Sequence, residues 1–152
     1  MQALKGSLVA LVTPLSSNDE VDYIALKKLV TWHIDQGTNG IVSVGTTGEA
    51  PTLSDTEHSK VINKTIEYVN GRVPVIAGTG GNSTRDSIAL TREAKAAGAD
   101  CSLLVTPYYN KPNQEGLIKH FSLIADSVDI PQILYNVPSR TACDILPSTV
   151  RI

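Results

Sequence analysis

The sequence predicts a parallel α/β fold, on three observations. Five short apolar, β-branched segments, at residues 8–12, 40–44, 73–77, 101–105 and 132–135, alternate with four amphipathic ones. Their centres recur about every 30 residues, the length of one βα unit. The strand candidates are apolar along their whole length, as in Leu103-Leu104-Val105 and Ile133-Leu134, which suits a buried parallel sheet covered on both faces.

The intervening segments carry helix marks of their own. In the first, Leu26, Leu29, Val30 and Ile34 form one apolar face, and Gly37 ends it. The second opens with Ser54-Asp55-Thr56-Glu57, a capping box, presents Val61, Ile62, Ile66 and Val69 on one side, and closes at Gly71. The third runs from about Asn82-Ser83 to Gly98, and the fourth carries Leu117, Phe121, Ile124 and Val128 on one face. A further helix begins near Leu146-Pro147, with proline suited to the first helical position. No linker or low-complexity stretch divides the chain.

Two architectures accommodate this alternation. A five-stranded doubly wound sheet fits a domain of about 150 residues. An eight-stranded (β/α)8 barrel of about 250 residues would have this chain as its first half and a little more. Length favours the sheet. Against it, the first βα turn, Thr13-Pro14-Leu15, has no Gly-rich phosphate loop.

The formal net charge is -2 and the basic residues are scattered, only Lys27-Lys28 being adjacent. The expectation is no nucleic-acid partner and no anionic membrane surface. No apolar run approaches the roughly 20 residues of a membrane span. The first residues lack a basic-then-apolar leader pattern. The only cysteines, Cys101 and Cys143, have no metal spacing and read as reduced, buried thiols of a cytoplasmic protein. No pair of His, Cys or carboxylate residues has metal spacing either, so neither a metal nor an organic cofactor is expected.

In both architectures ligand groups gather at the carboxyl ends of the strands. Those ends read Thr13-Pro14, Gly45-Thr-Thr-Gly-Glu49, Gly78-Thr-Gly-Gly-Asn82, Thr106-Pro-Tyr-Tyr-Asn110 and Tyr135-Asn-Val-Pro-Ser-Arg140. They are rich in hydroxyls and glycine and hold three of the five tyrosines, whereas the opposite ends look like ordinary turns. The Gly45–Gly48 turn offers N–H groups and hydroxyls to a carboxylate or phosphate. Taken singly, each element has a plain structural reading: a strand-to-loop turn for the glycines, rim packing for Tyr108-Tyr109, a surface ion pair for Arg140. Gly78-Thr-Gly-Gly81 lacks the Lys-Ser/Thr ending of a nucleotide loop. His33 reads as a packed helix residue.

Taken together, Val44-Gly-Thr-Thr-Gly-Glu49, Ile76-Ala-Gly-Thr79, Val105-Thr-Pro-Tyr-Tyr-Asn110 and Leu134-Tyr-Asn-Val-Pro-Ser-Arg-Thr141, in this order and spacing, resemble the dihydrodipicolinate synthase family. The likeness runs from Gly6-Ser7 to Leu146-Pro147. It implies the barrel, with this chain holding the first five strands and four helices as one part of a single domain over residues 1–152. It implies condensation of pyruvate with aspartate semialdehyde, through a lysine Schiff base, to 4-hydroxytetrahydrodipicolinate on the route to lysine and diaminopimelate, in a homotetramer. Thr46, Tyr109 and Tyr135 match the family's proton relay, Tyr109 coming from a neighbouring subunit. Thr47 matches the group that holds the pyruvate carboxylate, and Arg140 the partner of the semialdehyde carboxylate. His58, Asn82 and Tyr108 match the site at which lysine inhibits some members, and Asp86 stands at a further position of that site, keeping the charge on a shorter arm. Ala50, Asp55 and Asp86 depart from the Ser, His and Glu expected there.

The wider superfamily includes N-acetylneuraminate lyase, and a non-catalytic half-barrel that binds a ligand is the alternative of another class. The Schiff-base lysine is expected about 25–30 residues beyond Tyr135 by the βα period. None of the eight lysines present lies in a strand, and Lys111 alone stands in a strand-end loop. The chain by itself is therefore expected to be inactive.

Overall fold

The computed structural model describes residues 4–152. Its strands are β1 (Leu8–Ala10), β2 (Gly40–Ser43), β3 (Val75–Gly78), β4 (Cys101–Val105) and β5 (Gln132–Tyr135). Between them lie the helices α1 (Tyr23–Asp35), α2 (Asp55–Val69), α3 (Thr84–Ala97) and α4 (Gln114–Ser127). Two short helices follow, α5 (Pro138–Thr141) and α6 (Pro147–Val150), and a single 3-10 turn spans Ala50–Thr52.

All strand pairs are parallel, and the spatial order is β1-β2-β3-β4-β5. This order separates the two architectures. A doubly wound sheet reverses direction at a switch point and carries helices on both faces. Here each strand lies beside its predecessor, and α1 packs on α2, α2 on α3, α3 on α4 and α4 on α6 as one outer layer. The molecule is a half-barrel.

The two faces of the sheet differ accordingly. Ile41, Val75 and Ala77 join Leu26, Val30, Val61 and Val69 in the core beneath α1 and α2. Leu104 meets Leu117, Phe121 and Ile124 beneath α4. Side chains alternate along a strand, so Val42, Ile76, Gly78, Leu103 and Val105 face the concave side. Register aligns Ala10, Val42, Ile76 and Cys101 across four strands of that side. Curvature buries the middle of the row, with Ile76 and Cys101 fully enclosed, while Ala10 and Val12 are exposed. The apolar strands therefore reflect helices on one face and barrel interior on the other, not two helix layers.

Three hydroxyl pairs tie strand ends to helices, the first two to the helix that follows and the third, from the end of β4, to α5 beyond β5. Ser43 Oγ lies 3.0 Å from Thr65 Oγ1 of α2, Thr79 Oγ1 lies 2.9 Å from Thr91 Oγ1 of α3, and Thr106 Oγ1 lies 3.2 Å from Thr141 Oγ1 of α5. The two helical threonines donate to carbonyls one turn back, Thr65 to Val61 and Thr91 to Ser87. Their protons are committed, so the strand hydroxyls donate to them. All six residues are buried, where an unpaired hydroxyl is costly.

The expected helix marks recur with small shifts. Helix α1 ends at Asp35, ahead of Gly37, and Asp22 caps its start through two N–H groups. Ser83 caps α3, and Gly98 ends it in the left-handed region at φ 98°. Strand β3 begins at Val75, not at 73, because Pro74 has no N–H to give, although its carbonyl still accepts from Ile41 N. The α2 capping box forms in both directions: Glu57 N donates to Ser54 Oγ at 3.3 Å and Ser54 N to Glu57 Oε2 at 3.0 Å. Ser54→Ala should therefore cost about 1 kcal/mol of stability, measured by urea unfolding. Adding Glu57→Ala should cost little more, because the two side chains serve one cap.

Candidate functional site

A cavity of about 530 Å³ opens at the carboxyl ends of the strands. Its floor is the last turn of the concave face, Val44, Gly78, Leu103, Val105 and Tyr135. Its walls come from the loops and the first turns of the helices that follow, bringing Thr46, His58, Asn82, Asp86, Tyr108 and Arg140 to the same space. Ala50 and Asp55 line it too.

The Gly45–Glu49 turn is closed by its own backbone. Gly48 N and Ala50 N donate to Gly45 O, and Glu49 N donates to Thr46 O. The Thr13 hydroxyl fastens the turn from β1 by donating to Gly48 O at 2.7 Å. The N–H groups of Thr46 and Thr47 have no partner among the described residues. Of the nest read from sequence, these two donors remain for an anion. Thr46 lines the cavity; Thr47 is exposed beside it and does not.

Arg140 sits in the last turn of α5, which starts on Pro138. Thr141 is buried beneath it, donating to Cys143 O at 2.9 Å and accepting from Cys143 N and Thr106 Oγ1. Among the described residues no carboxylate pairs with Arg140, so its surface-ion-pair reading does not hold within the chain. The segment after α5 is clamped by two amides. Asn136 Nδ2 donates to Asp144 Oδ1, while Gln114 Nε2 donates to Asp144 O and Gln114 Oε1 accepts from Thr149 Oγ1. Asn136 stood in the sequence only as part of the Tyr135–Arg140 segment, with no role of its own, and nothing there distinguishes Gln114 from a solvated polar residue.

Tyr108 and Tyr109 part company. Tyr109 has φ 70°, which turns the second ring outward; it is 90% exposed and off the cavity, whereas Tyr108 lines it. Within one chain, then, Thr46 and Tyr135 are brought together and Tyr109 is not. None of the eight lysines lines the cavity, and Lys111 is exposed in the β4–α4 loop. His33 is half-buried on α1, against Trp32 and Thr38.

The chain matches the model of the dihydrodipicolinate synthetase family over residues 3–152. The chain belongs to that family. It is 63% identical over 147 residues to the 4-hydroxy-tetrahydrodipicolinate synthase of Pseudomonas savastanoi pv. phaseolicola, covering 97% of this chain and 50% of the relative. The crystal structure of the chloride-inhibited dihydrodipicolinate synthase of Acinetobacter baumannii, complexed with pyruvate, superimposes with a TM-score of 0.96 at 58% identity. It covers 97% of this chain and 50% of that one. The Aquifex aeolicus enzyme gives 0.94 at 52% identity, again over 97% of this chain and 50% of its own. The chain thus spans about half the length of the relatives it matches.

The electrostatics of the cavity are uneven. Hydrogen bonds from Ser83 and Arg85 hold the Asp86 carboxyl below its ordinary value. Burial pushes His58 below the usual histidine value, against the Gly78 carbonyl and the charges of Asp55 and Glu93, and its Nδ1 has no partner. Burial also lowers His120, whose Nδ1 meets Thr84 Oγ1 at 2.8 Å. Both lowered histidines favour the neutral form when folded. Their contribution to stability is complete above the unfolded value of about 6.5 and declines as pH falls below it toward the folded values. Thermal midpoints should drop between about pH 6.5 and 5, and His58→Gln with His120→Gln should flatten that drop.

Proposed function

We propose that this chain, over residues 1–152, supplies the first part of a single (β/α)8 barrel that condenses pyruvate with aspartate semialdehyde to 4-hydroxytetrahydrodipicolinate, through a lysine Schiff base, in lysine and diaminopimelate biosynthesis. The observation that carries the reading is one cavity at the strand ends that gathers two hydroxyls, Thr46 and Tyr135, and an unpaired guanidinium, Arg140. Family membership and half-length matches to synthases support it.

The chemistry asks for such a set. Turning a keto group into an imine and then an enamine moves several protons at one carbon. A hydroxyl can take one proton while giving another, and acid–base help of this kind is worth roughly 10²–10⁴-fold. Thr46 and Tyr135 are the relay, and the exposed Tyr109 completes it in the cavity of a second copy within a tetramer. The unpartnered N–H groups of Thr46 and Thr47 take the pyruvate carboxylate. Arg140 takes the semialdehyde carboxylate, since its planar fork fits two oxygens at once. His58, Asn82, Tyr108 and Asp86, on the α2–α3 side of the same cavity, are the inhibitor site for lysine, with Asp86 facing its ammonium group. The chain's place is the cytoplasm, in keeping with its buried free cysteines.

Two experiments test this reading. With pyruvate and borohydride, the 152-residue chain should give no covalent adduct by mass spectrometry, because no lysine lines its cavity. Joined at Ile152 to the second half of the Pseudomonas savastanoi relative, it should give one adduct, on a lysine of the added half. An adduct on Lys111 of the chain alone, or none on the joined protein, would sink the proposal. In the joined protein, Arg140→Ala should raise KM for the semialdehyde about tenfold or more, the worth of a charged hydrogen bond. KM for pyruvate should stay within about threefold, as expected when the lost contact belongs to the other substrate.

A further inference from the structure

Val44 is buried, β-branched and held at φ 55°, a conformation that is a genuine outlier for such a side chain. It is the last residue before the Gly45–Glu49 turn. Two glycines from neighbouring segments enclose its backbone. A Cβ on Gly78 would lie 2.1 Å from Val44 O, 2.7 Å from its carbonyl carbon and 3.0 Å from Gly45 N. A Cβ on Gly48 would lie 3.1 Å from Val44 Cα and 3.2 Å from Val44 N. No side chain fits at residue 78 while the Val44 carbonyl stays where it is. The strained peptide is therefore over-determined by its surroundings, the condition under which such strain persists at working sites.

The consequence falls on the residues next in line. The Val44–Gly45 peptide sets the direction of Gly45 O, which accepts from Gly48 N and Ala50 N and so closes the turn. That closure leaves the N–H groups of Thr46 and Thr47 unused and turns Thr46 to the cavity. With Val44 in the ordinary extended region the strand would simply continue, and this turn would not form here.

We infer that Val44 and Gly78 are a positioning pair: the missing side chain at Gly78 admits the left-handed Val44 peptide, which aims the Thr46 hydroxyl and the Thr46 and Thr47 N–H groups at the substrate. Neither residue need touch substrate through a side chain. The inference rests on the proposed condensation for its kinetic readout and on geometry alone for its structural one.

The test uses Gly78→Ala, Val44→Gly and the double variant. In the 152-residue chain, Gly78→Ala should lower the urea midpoint, because its methyl meets the Val44 carbonyl. Val44→Gly should lower the midpoint too, because it deletes a buried core side chain, although glycine bears the left-handed region without penalty. The double variant should match Val44→Gly alone, since a glycine at 44 can swing its carbonyl clear and the added methyl then costs little. In the joined protein described above, kcat should fall about tenfold or more in Gly78→Ala, the order expected when a reacting group is misplaced. It should stay about tenfold or more below Val44→Gly in the double variant, although the two have the same midpoint. A purely structural role predicts that the double variant equals Val44→Gly in kcat as well as in midpoint, and that result overturns the inference. So does parental stability and kcat in Gly78→Ala. If the joined parent shows no pyruvate-dependent turnover, the proposed function falls, and crystallography of the double variant decides the geometry. Residue 44 should leave positive φ and Thr46 should turn from the cavity; residue 44 still near 55° would overturn the pairing.

Discussion

Everything in this molecule depends on one constraint, the pairing of each strand with its immediate predecessor in parallel register. A parallel neighbour can be reached only by carrying the chain back along the sheet, and the return takes a helix. Repeating the same right-handed return puts every helix on one face and every strand's carboxyl end at one rim. The loops after β2, β3, β4 and β5 meet there for topological reasons, before any side chain is chosen. The cavity is the space they cannot fill, and its lining alternates between strand residues of the concave face and loop residues above them.

Much of this was legible in the sequence because it rests on local rules. Continuous apolar strands, the Ser54 capping box, the Ser83 cap and the proline opening α6 each act within a few residues. The strand-end segments stood out by composition, and most of their candidate residues do line one cavity. What stayed hidden depends on contacts between distant segments. The left-handed Val44 follows from its neighbours at Gly78 and Gly48, and no propensity announces it. The clamp of Gln114 and Asn136 on Asp144 joins residues that look solvated in sequence. Tyr108 and Tyr109 are identical neighbours in composition, and only the backbone turn at Tyr109 sends one in and the other out. The sheet's second face also misled, since a continuous apolar strand reads the same beneath a helix or inside a barrel.

The cavity is polarised along its length. At the β5 end stands the guanidinium of Arg140; at the α2–α3 end stand Asp55 and Asp86, with neutral His58 between them and the floor. The middle is held by apolar strand residues; Arg85 pairs with Asp86 at 3.2 Å from outside the cavity lining, and Arg140 has no carboxylate partner among the described residues. A small ampholyte is better matched to such a space than an ion of single sign.

The three strand-end hydroxyl pairs bear on how the molecule moves. Apolar surfaces between a helix and a sheet permit small sliding displacements, because one methyl contact replaces another at little cost. A hydroxyl pair does not, since a shift of an ångström breaks it in a place where water cannot substitute. Ser43–Thr65, Thr79–Thr91 and Thr106–Thr141 all stand at or just past the carboxyl ends of their strands. The first two peg a strand to its own following helix, and the third pegs the end of β4 to the turn after β5, all at the rim. Sliding of these helices along the sheet therefore meets its greatest resistance at the rim that carries the cavity.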